Sequence, residues 1–258
     1  MRRQINRRVS KSAKAGQALG FFSFVLGVVA VVAHRVGQID TLSFLIAGAA
    51  TAGVALLALA LATIGLWRMW SEGAKAGGAI LSTIVFAGFT LSPFAAAIVL
   101  GAQTPLINDV STDWVSPPQF PIGSRIDVTP PFSTPKTETE IAQLQAAAYT
   151  DIVPQRLTID PQLAEQIIRA AAKAMGWQLT TRSGNINSAQ GASQAYETRS
   201  LIFGFTDDIV VRVKRLDGAL IMDVRSAGRA GEGDLGAHAK RIRAFFAAFA
   251  SEQRKRGI

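Results

Sequence analysis

Cysteine is absent from the 258-residue chain, which excludes disulfides, thiol nucleophiles and thiolate metal sites. Histidine is nearly absent, with only His34 and His238 present. Charge is scarce as well. Asp, Glu, Lys and Arg make up 17% of the residues, where a soluble domain carries about 25%, and this disfavours an ordinary cytosolic enzyme. Acids are scarcest at the front: residues 1–101 hold 9 Lys and Arg against only Asp40 and Glu72, whereas residues 102–258 hold 18 basic and 16 acidic residues. The net charge of +9 therefore belongs mainly to the flanks of apolar sequence. No basic stripe with interleaved aromatics follows, so no nucleic-acid partner is expected.

What is present is long apolar sequence. Three runs, 15–33, 42–67 and 79–101, carry no charged residue, and each approaches or exceeds the roughly 20 residues needed to cross about 30 Å of hydrocarbon. A cleaved signal peptide competes for the first run. Its long apolar core, with no convincing small-x-small cleavage site between that core and His34, favours an uncleaved span. Arg2, Arg3, Arg7, Arg8, Lys11 and Lys14 precede the first span. The positive-inside rule then makes residues 1–14 a basic cytoplasmic tail and places residues 102–258 across a bacterial inner membrane, in the periplasm. Trp67 and Trp70 suit an interfacial belt, and Gly48, Ala49, Ala52 and Gly53 suit close helix approach. Without ionisable groups inside them, the spans read as an anchor rather than a transporter.

The remainder reads as an α+β domain with a mainly antiparallel sheet and a C-terminal helix. Residues 102–135 carry Pro105, Pro117, Pro118, Pro121, Pro130, Pro131 and Pro135, which forbid regular helix and predict an extended segment. The α+β domain then occupies residues 136–258. A short helix is expected over 139–148. A second begins with Asp160 as N-cap and Pro161 at its first position, turns Leu163, Ile167, Ala171 and Ala174 to the core, and ends at Gly176. A strand follows over 177–181, then a Ser/Gly/Asn loop over 183–193, then a strand over 196–205 interrupted near Gly204. Asp217-Gly218 between β-rich runs predicts a primed two-residue hairpin. Its register pairs Val211 with Val224, Val213 with Met222 and Arg212 with Asp223. It also puts Arg212, Asp223 and Arg225 on the face opposite the valines. The last helix is expected to be capped by Asp234, with Leu235, His238, Ile242, Phe245 and Phe249 on one face and Lys240, Arg241 and Arg243 in solvent.

The segments 105–114 (PLINDVSTDW), 117–120 (PPQF), 203–213 (FGFTDDIVVRV) and 223–243 (DVRSAGRAGEGDLGAHAKRIR) resemble the bacterial domain-of-unknown-function family 1499, over about residues 104–250. His238 stands where the family's pattern often carries asparagine. The resemblance implies association with the cell envelope and no particular chemistry.

Three constellations carry candidate chemistry. Asn108, Asp109, Asp113, Asp207, Asp208, Asp223 and Asp234, with Arg212, form a polar set that reads first as a structural network. The carboxylates are also the alternative's material: an exported hydrolase or metal-dependent enzyme using the Asp cluster and His238. No D-x-D-x-D-G loop, H-E-x-x-H helix or G-x-S-x-G elbow occurs, so no metal ligand or catalytic residue is assigned; Ser111 or Ser226 would each need His238 as base. The third is an anion site: Arg225, Arg229, Gly231, Gly233 and His238, where glycines (with Gly228 and Gly236) open onto a helix N-terminus. No cofactor is called for. The expected partners are the lipid bilayer and an anionic ligand or envelope protein; oligomeric state leaves no signal.

Overall fold

The computed structural model describes residues 9–121, 136–188 and 190–258. The expectations for the basic residues before position 9 and for Pro130, Pro131 and Pro135 lie outside the described residues. The chain divides into two compact units, Met1–Val99 and Leu100–Ile258.

The first unit is helical: α1 (Lys11–Arg35), α2 (Thr41–Glu72) and α3 (Gly77–Gly101). All three are long and apolar enough to cross a membrane. At 1.5 Å per residue even the shorter two reach about 37 Å. Ser10 caps α1, Asp40 caps α2 by accepting from Ser43 N at 2.6 Å, and Gly73 ends α2 at φ +67°. Of the small residues predicted to bring helices together, Gly48 meets a neighbour, Phe94 of α3 at 3.7 Å from its Cβ position. A Cβ on Gly53 would meet no other element within 4 Å, and Ala49 is exposed. The closest approach is made elsewhere, by Ala13 and Gly16 of α1 against Ala58, Ala62 and Gly65 of α2. A Cβ on Gly65 would stand 2.7 Å from Ala13 Cβ, and one on Gly16 would stand 2.9 Å from the Ala58 carbonyl. Ser23 and Thr90 share a hydrogen bond of 3.3 Å between α1 and α3, and Phe21 meets Phe86 edge-on at 5.2 Å. Trp67 and Trp70 are exposed near the end of α2.

The second unit follows as β1 (Asp109–Ser111), α4 (Glu138–Ala148), β2 (Gln155–Leu157), α5 (Pro161–Ala174), β3 (Gln178–Asn185), β4 (Gly191–Arg199), β5 (Thr206–Leu216), β6 (Ala219–Gly228) and α6 (Ala237–Lys255). Its sheet is antiparallel, in the order β1-β6-β5-β4-β3, with β2 sharing β1's edge of β6. Thr112 bridges the gap between these two short strands. It donates its N–H to Val224 O and accepts from Val224 N at Oγ1, both at 2.9 Å.

The hairpin register is as expected: Val211 faces Val224, Val213 faces Met222 and Arg212 faces Asp223. Asp217 (φ 49°) and Gly218 (φ 76°) are both left-handed, as a primed turn requires. Asp160 and Pro161 start α5 as expected, and Gly176 follows its end at φ +72°. Three expectations need correction. The buried face of α5 is Ala164, Ile167, Ile168, Ala171 and Ala172, while Ala174 is exposed. The Ser/Gly/Asn stretch is not simply a loop, because β3 runs to Asn185 and β4 starts at Gly191; pairing with β4 and β5 overrides weak strand propensity there. The strand expected over 196–205 stops at Arg199, and 200–205 forms the β4–β5 connection.

One face of the sheet carries Ile209, Val211, Val213, Leu220, Met222 and Val224 and packs on α5 and α6, with Trp177 stacked on Phe245 at 5.1 Å. The opposite face is also buried: Arg212 is 3% exposed, Asp223 0% and Arg225 5%. Residues 113–120 and α4 supply contacts on that side, and Gln145 of α4 imitates a strand neighbour. It accepts from Ser111 N at 2.9 Å and donates to Ser111 O at 2.6 Å, while Trp114 Nε1 donates to its Oε1.

Candidate functional site

The predicted polar residues separate into two networks, one on each face of the sheet. On the face away from α5 and α6, Arg212 donates through Nε (3.0 Å) and Nη2 (2.7 Å) to Asp223 Oδ2, and through Nη2 to Asp113 Oδ2 (3.1 Å) and Ser116 O (2.7 Å). Lys214 donates to Asp113 Oδ2 at 2.8 Å. Burial opposes the charged form of Asp113, but the Lys214 hydrogen bond, the Ser116 amide and Arg212 outweigh it and hold the carboxyl below its ordinary value. Arg225 forks onto Asp109 at 3.0 and 2.8 Å, donates to Pro118 O, and lies between the rings of Trp114 and Phe120, 5.4 and 5.1 Å from their centroids. Burial would lower its pKa, yet Asp109 raises it on balance. Arg229 closes the row with a bidentate pair to Asp208 (2.9 and 2.7 Å) and a contact to Glu197.

The second network lies on the α6 side. Arg241, expected in solvent, turns inward to Asp207, Ser226 Oγ (2.9 Å) and His238 Nδ1 (2.7 Å). A guanidinium only donates, so Nδ1 accepts and Nε2 carries the ring proton, which points to Asn108 Oδ1 at 3.1 Å. Asn108 Nδ2 in turn donates to the carbonyls of Gly228, Ala230 and Gly231 at 3.3, 3.0 and 2.8 Å. Burial is the largest influence on Asp207 and raises its pKa, aided by Asp234 and Asp208 and opposed by Arg241.

Ser226 and His238 do meet, Oγ to Nδ1 at 2.9 Å. They are 0% and 1% exposed, and Arg241 already occupies the Nδ1 lone pair that a general base would use. Ser111 lies on the other face, bonded to Asp113 O. Among the described residues no three His, Asp or Glu side chains gather to hold a metal ion.

Among the described residues Arg225 and Arg229 share no partner: Arg225 faces Asp109 and Arg229 faces Asp208 and Glu197. Asp234 is not the cap residue itself; Gly236, at φ +81°, holds that position. The Asp234 carboxylate instead reaches forward to accept from Gly236 N (2.9 Å) and His238 N (2.6 Å), filling the N–H groups an anion would use. Burial raises its pKa. The close approach at these glycines is made by the protein's own side chains: a Cβ on Gly228 would stand 2.5 Å from Asn108 Oδ1, and one on Gly233 2.8 Å from Leu106 Cδ1.

Sequence reasoning missed Arg241, Gln145, Trp114 and Glu197. Arg241 was findable, because it lies three residues after His238 and so shares its helix face. Gln145 left no local signal.

A family model described as a protein of unknown function (DUF1499) matches residues 109–249. The chain belongs to this family. The match runs from the first residue of β1 into α6, so the DUF1499 region holds the whole sheet and the donors and acceptors of both networks except Asn108. No curated protein matches the chain.

Proposed function

We propose that the chain is a multi-pass inner-membrane protein that holds its DUF1499 domain in the periplasm, where the domain acts by binding a ligand or partner of the cell envelope rather than by catalysis. Orientation rests on the six cationic residues before the first span. The binding reading rests on one observation: the pair with nucleophile–base chemistry, Ser226 and His238, is sealed inside the sheet–helix interface with Arg241 on its working nitrogen. The preference for an anion expected from Arg225 and Arg229 loses its support, since each already faces carboxylates. What remains for recognition is surface, including edge strand β3, whose eight residues are all exposed.

The test is a serine-directed fluorophosphonate applied to the full chain in detergent. Labelling no stronger than that of Ser226→Ala is expected. A Ser226-dependent adduct sensitive to His238→Asn would overturn the reading in favour of a hydrolase.

A further inference from the structure

One face of α1 carries Lys14, Gln17, Ala18 and Phe21, at the i, i+3, i+4 and i+7 spacing that aligns side chains along a helix. With Ser82 and Phe86 of α3 they line an open groove of about 530 Å³, within the roughly 300–1,000 Å³ of small-molecule sites. Its two walls are held together by contacts between the same helices. Phe86 meets Phe21 edge-on at 5.2 Å and Phe24 at 5.6 Å, and a Cβ on Gly20 would stand 3.5 Å from Thr83.

The groove is polar at one end and apolar at the other. Lys14 is in the first turn of α1, and Ser82 lies early in α3. Both helices start at the same end of their unit, where Ser10 N donates to Lys75 O at 3.1 Å. At 1.5 Å per residue, Gln17 lies about 4.5 Å and Phe21 about 10 Å further into the span than Lys14, and Phe86 about 6 Å further than Ser82. Headgroup, glycerol and hydrocarbon follow one another in the same order through a bilayer leaflet.

The protein does not use the polar groups of this groove itself. Elsewhere along α1 and α3, Ser23, Thr83, Thr90 and Ser92 return their hydroxyls to carbonyls of their own helix at 2.8 to 3.0 Å, the usual way to satisfy a hydroxyl in hydrocarbon. Ser82 does not. Among the described residues its hydroxyl, the Gln17 amide and the Lys14 ammonium have no hydrogen-bond partner. Polar groups left unpaired at the edge of hydrocarbon are costly, so three donors on one groove call for an acceptor. Charge selects an anionic one: Lys11, Lys14 and Lys75 are exposed at this end, against Glu72. Basic pockets between membrane helices are a recurring way to hold lipid headgroups. A free phosphate would engage Lys14 but leave Ala18, Phe21 and Phe86 as a bare wall.

We propose that the α1–α3 groove binds one anionic glycerophospholipid, its phosphate on Lys14, Gln17 and Ser82 and the upper part of an acyl chain along Ala18, Phe21 and Phe86. The site requires that α1 and α3 span the bilayer. It does not depend on which side the DUF1499 domain occupies or on what that domain binds, so it stands or falls separately from both.

The full chain is reconstituted in phosphatidylcholine vesicles with a trace of phosphatidylglycerol that carries a diazirine near the top of one acyl chain. After illumination, adducts are located by peptide mapping. They should concentrate at residues 17–21 and 82–86. Unlabelled phosphatidylglycerol should suppress them, whereas phosphatidylethanolamine and inorganic phosphate at the same concentration should not. Lys14→Gln should lower the labelling about fivefold, the preference one lysine gives an anionic headgroup. Ser82→Ala, which removes only the hydroxyl and so preserves the packing, should lower it as well, and Ala18→Trp, which fills the groove, should abolish it. Melting temperature in detergent shows that each variant compared is folded. Labelling spread evenly over the three helices, the sign of bulk lipid, would overturn the proposal. So would equal suppression by phosphatidylethanolamine or by inorganic phosphate, or labelling unchanged in both Lys14→Gln and Ser82→Ala.

Discussion

At Arg212 a guanidinium only 3% exposed faces Asp223, which is fully buried. An exposed cross-strand pair contributes a few tenths of a kcal/mol, roughly. A buried one behaves differently, because removing one partner leaves the other charged in a dry site at a cost of about 3–5 kcal/mol. Asp223 would keep only the longer pair to Lys214 Nζ, 3.5 Å from its Oδ2, and its Oδ1 is already buried with no hydrogen-bond partner among the described residues. Arg212→Met should therefore destabilise the full chain by about 3–5 kcal/mol, and adding Asp223→Leu should recover most of the loss. Denaturant unfolding in detergent gives the coupling, and additive effects would refute the pairing. Asp207 and Asp234 make the neighbouring case for pH. Burial raises both, so just above the ordinary value of 3.8 the folded chain holds more protons than the unfolded one, and stability falls as pH rises through that window. Asp113 is lowered; its contribution is present above 3.8 and lost as pH falls below it. Melting temperature plotted from pH 3 to 7 should peak in mild acid, and Asp207→Asn should flatten the descending side. An unchanged slope in that variant would remove Asp207 as the cause.

Among the elements, the helix pair α1–α2 gives a direct test of packing. Gly65→Leu places a side chain where Ala13 stands 2.7 Å from the Cβ position, while a Cβ on Gly53 would meet nothing within 4 Å, so Gly53→Leu starts in open space. The first should lower the detergent melting temperature by several degrees and the second should leave it unchanged; equal effects would show that the contact surface is misplaced. What the sequence discloses about elements depends on how local the determinant is. The β5–β6 hairpin and its register were legible because Asp217 and Gly218 alone set both turn and pairing. α5 was legible from Asp160 and Pro161 for the same reason. β3 was not, since its Thr, Arg, Ser and Gly residues form a strand only because β4 lies beside them. The candidate site was half legible. Its members were named, but Arg225 and Asp109 are 116 positions apart, and no spacing rule connects them. That the second sheet face is buried followed from residues 113–120 and Gln145, which fold over it from elsewhere in the chain.

For the whole molecule, the proposed orientation rests on the charge asymmetry of the first span's flanks. Fusing alkaline phosphatase after Ile258 should give an active enzyme, and fusing a fluorescent protein at the same point should give a dark one; the reverse pattern would put the domain in the cytoplasm. Topology also dictates an order of assembly. β1 lies at residues 109–111, and its partner positions on β6 are 225–227. Synthesis delivers the two more than a hundred residues apart, so β1 has no strand to join while β3, β4 and β5 are being made. Contacts of such long sequence separation slow folding, and here the delay falls on one small strand and the buried Arg225–Asp109 pair it carries. The first strand of the sheet in chain order waits for the last, and its edge stays open until β6 has been made.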